Sequence, residues 1–146
     1  MFDICFEKKD SFYEEEGFFG RIFIDSFNEA FFSNTSFFNE VDYQKQWCQA
    51  VEVLFHKKKS YFLVNVYDPK VANFFTSWPC YLHNESIYLQ NRMLLSEQFN
   101  LDKIISFESD IDDLSFVGDE GRKISTWRTD IKSMIDFKNK IERSFL

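Results

Sequence analysis

The stretch from about Glu40 to Lys57 constrains this chain more than any other, because it reads as one helix with a single apolar side. Tyr43, Trp47, Ala50, Val51, Leu54 and Phe55 recur at the three- and four-residue spacing that lines one face of an α-helix. Gln44, Lys45, Gln49 and Glu52 take the other side. Asn39 suits the N-cap, and Glu40 and Asp42 place negative charge in the first turn. His56, Lys57, Lys58 and Lys59 place positive charge at the far end, where the helix dipole favours it. Such a stripe has to be buried, and it should cover one face of a sheet.

The rest of the chain supplies the sheet. Phe2, Ile4 and Phe6 alternate with Asp3, Cys5 and Glu7, as in a half-buried strand. Lys8 to Glu16 is polar and acidic and reads as a loop. Gly20 to Asp25 suits a second strand, with Ile22 and Ile24 on one face. The next residues, Ser26 to Phe32, carry two signals: Phe27, Glu29 and Phe31 alternate, while Ser26 and Glu29 form a capping-box pair. The reading favours a continuing, bulged strand. Tyr61 to Tyr67 is a buried-strand run, ended by Asp68-Pro69. Asn73 to Leu82 and Ile87 to Leu95 form an antiparallel hairpin joined at His83 to Ser86, and Ile104 to Phe107 adds a short strand. An acidic, irregular segment follows, to Gly121. Ile131, Met134, Ile135, Lys138 and Ile141 have helical spacing. Together these predict one domain, residues 1–146, of the α+β class: a mostly antiparallel β-sheet with a long amphipathic helix packed on one face and a C-terminal helix.

Twenty Phe among 146 residues, with four Gly and two Pro, give material for a packed core and argue against disorder. The pairs Phe18-Phe19, Phe31-Phe32, Phe37-Phe38 and Phe74-Phe75 place neighbouring rings on opposite faces of any strand, so some reach the surface or a second layer. A formal charge of −7 disfavours a nucleic-acid ligand and suits a basic protein partner. Cys5, Cys48 and Cys80 are odd in number and widely spaced, as for thiols in a reducing compartment. The N-terminal residues lack the basic and apolar regions of a secretion signal, and no apolar run is long enough to span a membrane, so a cytoplasmic location is expected.

Residues for catalysis are sparse. His56 and His83 are the two histidines. His56 lies among lysines at a helix end, and Cys80-x-x-His83 lacks the second half of a zinc motif. No phosphate-binding loop, nucleophile elbow or dinucleotide fingerprint is present. The reading is therefore of a chain that is not an enzyme and needs no metal or cofactor. The alternative is a small metal-dependent hydrolase or nuclease using carboxylates such as Asp112 and Asp113.

One segment stands out by charge. Glu108, Asp110, Asp112, Asp113, Asp119 and Glu120 fall in thirteen residues with no Lys or Arg among them, interleaved with Ile111, Leu114, Phe116 and Val117. Spaced carboxylates of this kind imitate nucleic-acid phosphates for the cationic cleft of a nuclease. They also suit calcium, although the EF-hand order is absent, or simply a solvated loop. Asp10 with Glu14, Glu15 and Glu16 forms a second acidic cluster with the same alternatives.

Four stretches together resemble the immunity proteins of bacterial contact-dependent growth inhibition systems. They are Gly20 to Ile24 with Phe27-Asn28-Glu29; Asp42 to Trp47 (DYQKQW); Asn73 to Asn91; and Gly121 to Trp127 (GRKISTW). The family pattern reads GRI-x-I-G-D-F-x-E-x-F, D-Y-x-x-Q-W, a WW-x-x-Y segment with Y-I-Q-N, and I-S-E-W. This chain departs from it at Asp25-Ser26, Trp78-Pro79 and Thr126. The matching positions are mostly Gly and aromatic, and Trp47 and Trp127 read as framework. The resemblance implies a cytosolic antidote that binds the basic C-terminal toxin domain delivered by a neighbouring cell, often a nuclease, and occludes it. The acidic segment, Glu108 to Glu120, is the expected toxin contact.

Overall fold

The computed structural model describes residues 1–68, 70, 72–95 and 97–145. Among the described residues, two antiparallel sheets share the core with three helices. The first sheet is a meander of β1 (Phe2–Phe12), β2 (Glu15–Ile24) and β3 (Phe27–Asn34). The second orders β4 (Lys59–Val66), β5 (Phe74–His83), β6 (Ser86–Gln90) and β8 (Thr126–Asp130), with β7 (Arg92–Leu95) pairing β5. Helix α1 is Glu40–Lys57, α2 is Leu101–Ile105 and α3 is Ile131–Arg143. This is the expected α+β class, with two sheets in place of one.

Helix α1 begins where its cap requires. The Asp42 N–H donates to Asn39 Oδ1 at 2.9 Å, and the Asn39 N–H donates back to Asp42 Oδ2 at 3.0 Å. Tyr43, Trp47, Ala50, Val51 and Leu54 are buried, while Phe55 is half-buried. Gln46, absent from the apolar stripe, is also buried, because it serves the sheet beneath. Its Nε2 donates to the Tyr61 carbonyl at 3.0 Å, and its Oε1 accepts the Leu63 N–H at 2.9 Å. Trp47 Nε1 donates to the Leu63 carbonyl at 2.7 Å. The helix therefore meets β4 through polar groups as well as packing, beside the irregularity in the β4–β5 register between Leu63 and Asn65.

Trp47 also touches the first sheet, with the Phe6 ring 5.1 Å away. The two sheets join at β3 and β4, where the Ser33 hydroxyl donates to the Val64 carbonyl and the Asn34 N–H to Asn65 Oδ1 at 2.9 Å. At another junction Trp127 stacks on Phe27 at 4.2 Å and lies 5.4 Å from Trp78. Helix α3 buries Met134, Phe137 and Ile141, with Phe137 edge-on to Phe2 at 5.0 Å. Ile135, expected on that stripe, is exposed.

Four local expectations are corrected. Lys8 to Glu16 is not a loop: both strands continue through it and turn on Tyr13-Glu14 alone. Ladder hydrogen bonds use the backbone, so polar side chains on a wet hairpin tip do not stop a strand. Ser26 to Phe32 does not continue the preceding strand; the chain reverses at Asp25-Ser26, with Asp25 at φ +52°, and Ile24 pairs with Phe27. The Ser26–Glu29 capping pair starts no helix there. Ile104 to Phe107 is not a strand. It overlaps α2, capped by Asn100 Oδ1 accepting the Lys103 N–H at 3.2 Å, with Leu101 and Ile104 buried at helical spacing. Finally, the run from Ile87 to Leu95 pairs with β5 in one constant register but is interrupted at Asn91, across from Trp78 and Pro79. Pro79 has no N–H to give a ladder. Pro69, expected to end β4's run, lies outside the described residues. Among the described residues no helix is long and apolar enough to cross a membrane.

Candidate functional site: a strapped acidic segment

After α2 the chain turns at Phe107, φ +59°, and runs to Gly121 with one isolated bridge, Val117 to Lys123, as its regular structure. Side chains of the second sheet and of the end of α1 grip this segment by its carbonyl oxygens. Lys57 Nζ donates to the Phe107 carbonyl at 3.2 Å and Lys59 Nζ to that of Ile111 at 2.8 Å. The Tyr81 hydroxyl donates to the Asp112 carbonyl at 3.0 Å, and Gln90 Nε2 to that of Ser115 at 2.8 Å. Apolar pins complete the hold: Ile111 is buried, Phe107 is buried and stacks on Tyr61 at 5.1 Å, and Phe116 meets the Tyr88 ring at 5.7 Å.

Two of the carboxylates share the Lys59 anchor, and a third meets Arg92. Asp110 and Asp113 lie 2.7 and 2.9 Å from Lys59 Nζ, and Asp112 lies 2.9 Å from Arg92. Glu120 is 3.7 Å from Arg122, and Glu108 accepts the Ser106 hydroxyl at 3.0 Å. The hydrogen bond that Lys59 donates to Asp110 leads the causes that raise the Lys59 pKa above its ordinary value, against the opposing cost of burial. The segment is thus not uncompensated in space, as its own residues suggest. The cations that meet its aspartates come from β4 and β7, and a reading confined to the segment cannot find them. The compensation is partial, because the Asp110, Asp112 and Asp113 side chains remain 86%, 73% and 94% exposed. Pairs that wet carry little energy and leave the charge available to a partner.

Beside the segment is an open hollow of about 610 Å³, lined in part by Tyr81, Gln90, Arg92, Asp112, Asp113 and Asp119. Val117, which also lines it, and its neighbour Phe116 are half-exposed, at 52% and 49%. All six carboxylates named from the sequence lie along this one segment. Lys59, Tyr81, Gln90 and Arg92, which hold it, were not legible as site residues.

The other candidates disperse. Cys80 is fully buried inside the sheet, its thiol pKa pushed up by burial, while His83 is exposed at the strand end beside Asn84. Among the described residues no three His, Cys, Asp or Glu side chains converge as a metal site would require. The second acidic cluster occupies the β1–β2 hairpin tip.

The geometry is that of a surface, not of a cleft closed around a small molecule. The family model for the CdiI N-terminal domain matches residues 33–137, and the chain belongs to this family of immunity proteins. It is 31% identical over 120 residues to the immunity protein CdiI of Enterobacter cloacae subsp. cloacae, covering 80% of this chain and 81% of that protein. The fold matches a chain of the solved CdiA-CT/CdiI toxin and immunity complex from Enterobacter cloacae with a TM-score of 0.87 and 28% identity. That match covers 98% of this chain and 99% of the other.

Proposed function

We propose that this chain is the antidote of a contact-dependent growth inhibition system, binding the toxic C-terminal domain of its cognate exoprotein in the cytosol. The observation that carries the reading is the likeness, along nearly the whole chain, to a component of a toxin and immunity complex. The toxin is a basic nuclease, and inhibition is by occlusion of its active site or substrate path, with no chemistry and no cofactor supplied by this chain. Glu108, Asp110, Asp112, Asp113, Asp119 and Glu120 are the toxin-binding residues. A net charge of −7 and outward carboxylates favour fast association with a cationic cleft, and the carbonyl straps mean that little order remains to be gained on binding.

The test is co-expression with the cognate toxin domain, which this reading expects to be encoded beside the gene. Co-purification and restored growth are expected, and neither occurring would overturn the role. Replacing all six carboxylates by their amides should slow association and flatten its salt dependence. Unchanged kinetics would move the contact elsewhere while leaving the role intact.

A further inference from the structure

The outer face of the first sheet carries a cluster of rings that the core does not use. Phe19 and Phe32 pair directly across β2 and β3, with ring centres 5.2 Å apart. Phe12 lies 5.5 Å from each, and Tyr13 stands edge-on to Phe12 at 4.4 Å. Phe6, Phe18 and Phe31 cluster separately, with Phe6 and Phe31 against Trp47, so the pairs Phe18-Phe19 and Phe31-Phe32 split between two faces, whereas Phe37 and Phe38 stack on each other. Gly17 makes the outer cluster possible. A Cβ there would fall 2.7 Å from the Phe32 ring and 2.1 Å from the Ser33 carbonyl oxygen. Phe32 therefore lies flat across the strand in space that any other residue would fill.

These rings are not a satellite core. Phe12 is 43% exposed and Tyr13 is 86% exposed, at a turn where both Tyr13 and Glu14 take positive φ. Hairpin turns of this kind favour Asn and Gly, and the chain instead places a large aromatic and a carboxylate at the tip. Asp10, Glu14, Glu15 and Glu16 surround it, with Asp10 paired to Lys8 and Glu15 reached by the Tyr67 hydroxyl at 3.4 Å. Glu14 and Glu16 have no ion pair among the described residues.

We infer that this tip is a second docking surface, with Tyr13 and Phe12 as apolar anchors ringed by carboxylates for a cationic protein surface. The inference rests on the immunity reading and assigns the occupant as the toxin domain. A second copy of this chain would oppose like charges across the contact, which disfavours it. The tip and the acidic segment lie at opposite ends of β4: Lys59 holds Asp110 at one end, and Asn65 reaches Tyr67 and thence Glu15 at the other. Eight strand residues set them roughly 25 Å apart, a span that one small domain bridges. Exposed aromatic side chains are the commonest carriers of interface energy, so the anchors should dominate dissociation and the glutamates association.

The experiment uses the full chain and the co-expressed toxin domain in a kinetic binding assay. The double variant Phe12→Ser with Tyr13→Ala should keep its thermal midpoint and dissociate at least tenfold faster. Glu14→Lys with Glu16→Lys should slow association and flatten its salt dependence. Losses from the tip and from the acidic segment should multiply, as expected for sites this far apart. If the wild-type chain binds and the folded double variant dissociates within twofold of it, the second surface is refuted and the immunity role stands. If the wild-type chain does not bind the toxin domain, both fall together. Weakened binding accompanied by dimer loss would point to a second copy of this chain and also overturn the assignment.

Discussion

Replacing Lys59 by Met tests whether the acidic segment is held by the sheet or merely lies on it. Methionine keeps the apolar stem and removes the ammonium, which donates to the Ile111 carbonyl at 2.8 Å and pairs with Asp110 and Asp113. Both aspartates are more than four-fifths exposed, so each pair is worth about 0.2–1 kcal/mol. The charge-assisted bond to a carbonyl half-withdrawn from water adds about 1 kcal/mol. The total is about 2 kcal/mol, or roughly a 30-fold change in a local opening equilibrium. Hydrogen exchange reads it directly. The Glu108 and Ser109 amides both donate to the Lys103 carbonyl, at 2.8 and 3.2 Å, and both belong to the held stretch. Their exchange should accelerate about 30-fold, while fraying of the β1–β2 tip, which Lys59 does not touch, should not change. Urea unfolding should lose a similar 2 kcal/mol. If those two amides exchange within threefold of the wild-type rate, Phe107 and Ile111 hold the segment by packing alone and the strap argument is wrong.

Other outcomes follow from the core. Trp47→Ala should cost about 3–5 kcal/mol, because a fully buried indole is lost and the Leu63 carbonyl loses its donor; chemical denaturation measures it. Trp127, half-buried on Phe27, should cost distinctly less by the same measurement. Gln46→Leu should cost about 2 kcal/mol by leaving the Tyr61 carbonyl and Leu63 N–H of β4 unpaired under the helix. Stability should also fall at alkaline pH. Burial raises the Cys80 thiol and the Tyr43 and Tyr61 phenols, and Lys59 is raised by its aspartate partners. A raised folded pKa stabilises below the unfolded value, and that stability is lost as pH climbs through the folded one. The decline should therefore begin near pH 9 for the thiol, at up to about 1.4 kcal/mol per pH unit for one group. Cys80→Ala should delay its onset.

The elements set by local chemistry were legible in the sequence. Asn39 and Asp42 fix the start of α1, and the spacing of Tyr43, Trp47, Ala50, Val51 and Leu54 fixes its buried side. Elements set by distant partners were not. Thr126 to Asp130 became strand β8 because β6 offers it an edge, and Trp127 lands on Phe27 from the other sheet. Ile104 to Phe107 carries strand-like residues but is capped as a helix by Asn100, four residues before its start. The candidate site divides the same way. Its carboxylates are contiguous and visible, whereas Lys59 and Arg92 reach them only once the chain is folded, from as far as fifty-four positions away. The tip of β1 and β2 was hidden for a different reason: its polar side chains resemble a loop's, and only the pairing of Phe12 with Glu15 shows a hairpin.

The straps on the acidic segment all end on carbonyl oxygens, at Phe107, Ile111, Asp112 and Ser115. Every amino acid brings that oxygen, so the grip is indifferent to which side chain the gripped residue carries. Substitutions at Asp110 or Asp113 would then cost folding no more than a wet ion pair, about 0.2–1 kcal/mol each, and on the proposed toxin contact a lineage would revise which partner it recognises while its frame stays as it is. On that proposed contact, such a scaffold would separate heritable specificity from foldability.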